Sequence, residues 1–184
     1  KGHPTGNEIA EAVKFFENHI GKRVIERQTG VCEDTMELIQ NIKKDKNWNS
    51  GELHLPLTDT SINVIIDFDV DMAYAQACAE HAVHLQDHPE ITDCLYEKII
   101  SYCEMYRDLF DEEGIEIPAD IEGSGIMKYI NLEGLTICAP EGEGVAYTLY
   151  GDCEWEEEHG IEISICNHRV GYVGEYCAVN PWKE

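Results

Sequence analysis

The sequence predicts an α+β fold: an antiparallel β-sheet packed against an antiparallel helix pair, with a helical segment at the N-terminus. Three observations predict it. Two alternating apolar runs stand close together between residues 49 and 71. Two segments with helical apolar spacing follow. Alternating runs separated by turn residues then fill the chain from residue 129 onward, so the sheet combines an early hairpin with a C-terminal meander. The helical segment is read as residues 1–48 and the α+β domain as residues 49–184, together expected to form one compact unit.

In order, Thr5 and Glu8 have capping-box spacing, and Ile9, Val13, Phe16 and Ile20 recur at helical intervals up to Gly21. A second short helix is expected after Asp34, with Leu38, Ile39 and Ile42 as its apolar side and lysines at its end. Leu53, Leu55 and Leu57 then alternate with polar residues or proline, and Pro56 predicts an edge or bulged strand. After a turn at Thr58–Ser61, Ile62, Val64, Ile66, Phe68 and Val70 share one strand face, with Asp67, Asp69 and Asp71 on the other. Asp71 caps an alanine-rich helix that carries Gln76, and Pro89 opens the next, whose apolar residues include Leu95, Ile99 and Tyr102. A glycine- and proline-rich connector from Asp111 leads into the four late strand segments.

The chain has 184 residues, of which 43% are hydrophobic, enough for a substantial core. Thirty-seven acids face thirteen bases, for a formal charge of −24. Such a field repels nucleic acid and anionic membranes and attracts cations or basic proteins. The imbalance is steepest after Phe110, where seventeen acids meet three bases, Lys128, Arg169 and Lys183. No apolar run is long enough to span a bilayer, and the first residues lack the apolar centre of a signal peptide. The eight cysteines are scattered without a C-x-x-C pair, which predicts free thiols in a reducing cytoplasm.

Two constellations raise the question of chemistry. His81, His84 and His88 fall on one helical stripe, with Cys78 one step before it. His84 and His88 have spacing that can share a transition metal, but the H-E-x-x-H pattern is absent and no second ligand set is evident. The stretch "CEWEEEHGI", Cys153 to Ile161, sets a tryptophan before three glutamates, a histidine and a glycine. The flanking alternation makes it a hairpin connection, with Trp155 ending one strand, Gly160 turning the chain and Ile161 starting the next. A structural turn with an acidic rim, a partner-recognition surface and an acid/base site all remain open for it. Nucleophile elbows, phosphate loops and a calcium loop are absent.

The hairpin resembles that of a family of small bacterial domains, reading W-x-E-E-H-G-[IL]-x-[IV] and followed by a strand ending in V-G. Here the matching residues are Trp155, Glu157, Glu158, His159, Gly160, Ile161, Ile163, Val173 and Gly174. The likeness extends, more weakly, from about residue 50 onward. Some members of that family accompany polymorphic or contact-dependent growth-inhibition toxins and are regarded as immunity proteins. The resemblance therefore implies a cytoplasmic immunity protein, not an enzyme, that binds and neutralises a cognate toxin domain, for example a basic nuclease. The expected contact residues are Asp152, Glu154, Glu156, Glu157, Glu158 and His159, joined by Asp111, Glu112 and Glu113. No catalytic residue, metal or cofactor is assigned. The alternatives are a metal-dependent hydrolase using His81, His84 and His88 or the His159 hairpin, and an acidic interaction module with another partner.

Overall fold

Alternating apolar side chains build one seven-stranded sheet in this chain, seen in a computed structural model that describes residues 37–110 and 114–183. These residues fall in the unit Glu37–Glu184. The strands are β1 (Gln40–Lys44), β2 (Trp48–Leu55), β3 (Thr60–Asp67), β4 (Ile130–Ile137), β5 (Ala146–Cys153), β6 (Glu156–Cys166) and β7 (Arg169–Gly174), and they lie side by side in sequence order.

The sheet is mixed, which corrects the expected antiparallel one. β3 and β4 run parallel, with Asn63 opposite Gly134 and Ile66 opposite Ile137, while every other pair is antiparallel. The reason is the connection. Parallel neighbours need a crossover, and here it carries α1 (Met72–Val83) and α2 (Pro89–Glu104). The expected helix pair is also corrected: α1 lies against β2 and α2 against β7, so each packs chiefly on the sheet rather than on the other.

The expected second helix is a strand where it can be described. Gln40–Lys44 pairs with β2 along its outer side, so β2 is no edge and Pro56 sits just past its end. Gln76 of α1 helps to hold this region, its side-chain oxygen accepting the Leu38 and Ile39 N–H groups at 3.1 and 3.4 Å. The expected helix over Ile9–Ile20 lies outside the described residues.

Local signals place the helix starts. The Asp71 carboxylate accepts the Ala73 N–H at 2.8 Å, and Pro89 occupies the first turn of α2. Ala75, Ala79 and Ala82 are fully buried, and their small side chains let α1 approach the sheet closely. Ile91, Leu95 and Ile99 of α2 join Leu135, Leu149, Ile161, Ile163 and Ile165 in the same core. Burying one such aliphatic side chain stabilises the fold by roughly 1.5–3 kcal/mol.

β6 is buried on both faces. Glu162 and Ser164 alternate with the isoleucines and are only 1% exposed. The chain after β7 folds back to meet them. The Glu162 carboxylate accepts the Cys177 and Val179 N–H groups at 3.0 and 3.2 Å. Ala178 between them has φ 55°, a left-handed conformation that turns both donors toward one oxygen.

Candidate functional site

The two ends of β6 carry the chemistry-bearing residues. At its start, the turn between β5 and β6 is Glu154–Trp155, and Glu156 already belongs to the strand. The expectation that Gly160 turns the chain is corrected. Cys153 pairs with Glu156 and Gly151 with Ile161, so Glu157–Gly160 bulge out opposite Asp152 alone. Gly160 closes this bulge at φ 65°, and a Cβ there would stand 2.2 Å from the Gly151 carbonyl oxygen. Its own carbonyl accepts the Tyr102 hydroxyl at 3.1 Å. Trp155 is buried and meets Tyr102 edge-on, with ring centroids 5.8 Å apart.

Glu156 serves the bulge. Its carboxylate accepts the His159 N–H at 2.5 Å and lies 3.2 Å from the His159 ring. Burial alone would raise the Glu156 pKa, but hydrogen bonds from the His159 N–H, the His159 ring and the Gly160 N–H outweigh it and hold it below the ordinary carboxylate value. The same contact raises His159. Asp152, Glu154, Glu157, Glu158 and His159 remain exposed. Asp111, Glu112 and Glu113 lie outside the described residues.

Asp152, Glu154 and Glu157 border a cleft of about 420 Å³ with Lys128 and Asn131, backed by Tyr129, Ile130 and Cys153. Burial pushes the Cys153 thiol up to about 12, so it is protonated at neutral pH and a poor nucleophile. Three carboxylates around a cleft with one ammonium suit a guanidinium or ammonium group from outside. Glu158 and His159 stand beside this cleft rather than in it.

At the other end of β6, the tight turn to β7 is Asn167–His168. The histidine stripe is rearranged. α1 stops at Val83 and a 3-10 turn follows, so His81, His84 and His88 do not share one continuous helix. His84 turns to Asp87 at 2.9 Å. His168 joins the other two instead. Ring centroids lie 5.2 Å apart for His81–His168, 5.3 Å for His88–His168 and 6.2 Å for His81–His88. Burial, together with His168 and His88, lowers the His81 pKa to about 4. Its Nδ1 lies 2.9 Å from the hydroxyl of fully buried Tyr147. Sequence reading missed His168 because its only local signal is a turn.

A family described as "Domain of unknown function (DUF6985)" matches residues 38–179. The chain belongs to that family. The DUF6985 match takes in all seven strands, both helices and both ends of β6. No curated protein and no solved structure matches the chain. Within the DUF6985 region a second cleft, about 370 Å³, lies between α2 and β7, bordered by Lys98, Cys166, Asn167, Arg169, Val170 and Gly171. Lys98 Nζ donates to the Gly171 carbonyl at 2.6 Å, which ties α2 to the sheet edge. Among the described residues, no helix is long and apolar enough to cross a membrane. All seven cysteines among them are free thiols.

Proposed function

We propose that this chain is an immunity-type binding protein that neutralises a cognate toxin domain by covering its basic surface. The observation that carries the reading is the acidic cleft at the start of β6, where Asp152, Glu154 and Glu157 converge beside exposed Glu158. The net charge of −24 supplies long-range attraction to a basic partner. The likeness of the Trp155–Ile161 hairpin to that of immunity proteins supplies the class of partner. A nuclease toxin fits best, because its substrate-binding surface must be basic. A lysine or arginine of that surface enters the cleft, and the rim carboxylates pair with its neighbours. The free thiols favour the cytoplasm as the place of action.

The test is binding to the toxin domain encoded beside this chain, measured at low and high salt. The expected result is a stoichiometric complex that abolishes toxin activity and weakens steeply with salt. An absent toxin neighbour overturns the reading. So does an affinity that ignores both salt and the Asp152→Asn, Glu154→Gln, Glu157→Gln triple substitution.

A further inference from the structure

We propose that Tyr150 and Tyr176 form an arginine-binding corner beside the acidic cleft, where a guanidinium group of a basic partner stacks on the rings and pairs with Glu133. The inference rests on the toxin-binding reading and deepens it, by naming the side chain that the partner supplies and the ring pair that takes it.

The backbone around the two rings places them. Tyr150 of β5 stands opposite Gly134 of β4. A Cβ on Gly134 would fall 2.2 Å from the Tyr150 ring, so the missing side chain lets that ring lie down on the sheet. Tyr176 follows β7. Its N–H donates to the His159 carbonyl at 3.3 Å, which ties it to the bulge that carries Glu157 and Glu158. The rings meet at a steep angle, with centroids 6.0 Å apart and planes 68° from parallel, and so make two walls of a corner. Tyr176 is 50% exposed, so its wall is open to a partner.

Carboxylates surround the corner. Side chains two apart on a strand share a face, which puts Asp152 of the acidic cleft on the same face as Tyr150. Burial, then Tyr176 and the Glu133 carboxylate, raise the Tyr150 pKa, so its ring stays neutral. Asn131, which borders the cleft, donates from Nδ2 to the Glu133 carboxylate at 3.4 Å. Cleft and corner are therefore parts of one surface. Exposed Glu175 precedes Tyr176. Among the described residues, no Lys, Arg or His side chain forms an ion pair with Glu133, Asp152 or Glu175. A guanidinium group suits this arrangement, because its plane stacks on an aromatic face while its N–H groups reach a carboxylate. An ammonium group is a compact point charge and matches the flat ring less well. Exposed tyrosines within a charged rim also fit the anatomy of partner surfaces, in which aromatic anchors carry much of the affinity.

The experiment uses the full chain and two probes, a short arginine homopeptide and a lysine homopeptide of equal length, titrated by calorimetry at physiological salt. The arginine peptide is expected to bind more tightly. Tyr176→Ala should weaken it ~3–30-fold with the melting temperature unchanged, while Tyr176→Phe keeps parent affinity. Neither substitution alters the charge, so the loss reports the ring. Glu133→Gln should narrow the preference for arginine over lysine. Tyr150→Ala is avoided, because it would uncover Gly134. Equal binding of the two peptides, or arginine binding that ignores Tyr176→Ala, overturns the proposal. The same variants measured against the neighbouring toxin domain separate the two readings. A toxin that binds but ignores Tyr176→Ala overturns the corner alone. A missing toxin overturns the immunity reading, and the peptide titrations still decide the corner.

Discussion

One strand, β6, joins two ends of opposite character. Its start carries exposed carboxylates around an open cleft, and its finish gathers imidazoles against a buried tyrosine. At the start, charge is kept in water, where it acts at long range and screens with salt. At the finish, burial keeps His81 neutral, so contact geometry matters more than charge. The same strand therefore carries an exposed, charged cleft at one end and a partly buried group of imidazoles at the other.

The largest effect is expected from the backbone beneath the acidic end. Gly160→Val should destabilise the fold by about 2–4 kcal/mol in urea unfolding, because a side chain meets the Gly151 carbonyl at a positive φ. A near-neutral result would show that the bulge adapts. Next, the Asp152→Asn, Glu154→Gln, Glu157→Gln triple should weaken toxin-domain binding ~10–100-fold, mainly through slower association, with the melting temperature unchanged. Surface plasmon resonance at several salt concentrations checks this, and equal loss in the on- and off-rates would argue against steering.

The two ends should also separate by pH. His81 is depressed from 6.5 to about 4, so between those values the unfolded chain binds the proton that the folded chain refuses. Its contribution is complete above pH 6.5 and is lost as pH falls toward 4, by about 1–2 kcal/mol once its partial exposure is allowed for. His168, His88 and Tyr147 face it. Glu156 is also depressed, from 4.5, so its contribution holds above that value and disappears only below it. Urea midpoints measured against pH should show two steps, and His81→Gln should remove the upper one alone. The smallest effect is Tyr102→Phe, which deletes the hydrogen bond to the Gly160 carbonyl and should cost about 1 kcal/mol in the same assay.

Much of the fold is legible where the signal is local. Period-two alternation marks β2, β3 and the late strands, Asp71 caps α1, and Pro89 opens α2. The Leu38, Ile39 and Ile42 spacing reads as a helix turn, yet pairing with β2 and the grip of Gln76 make this region extended. Alternation is also the same for parallel and antiparallel neighbours, so periodicity alone does not reveal that β3 and β4 run parallel. At the candidate site, the acids of residues 152–158 are visible as composition. Which of them border the cleft, and that Glu156 turns inward to hold His159, depends on the bulge register.

By itself the sequence determined the strong negative charge, the strand and helix periodicities and the glycine needed at residue 160. These follow from side-chain chemistry and from neighbours a few residues apart. Only the tertiary structure decided that the sheet is mixed, that the acids frame a cleft and that His168 replaces His84 beside His81. Those outcomes require groups up to 87 positions apart to meet, and the packing of α1 and α2 across the sheet brings them together.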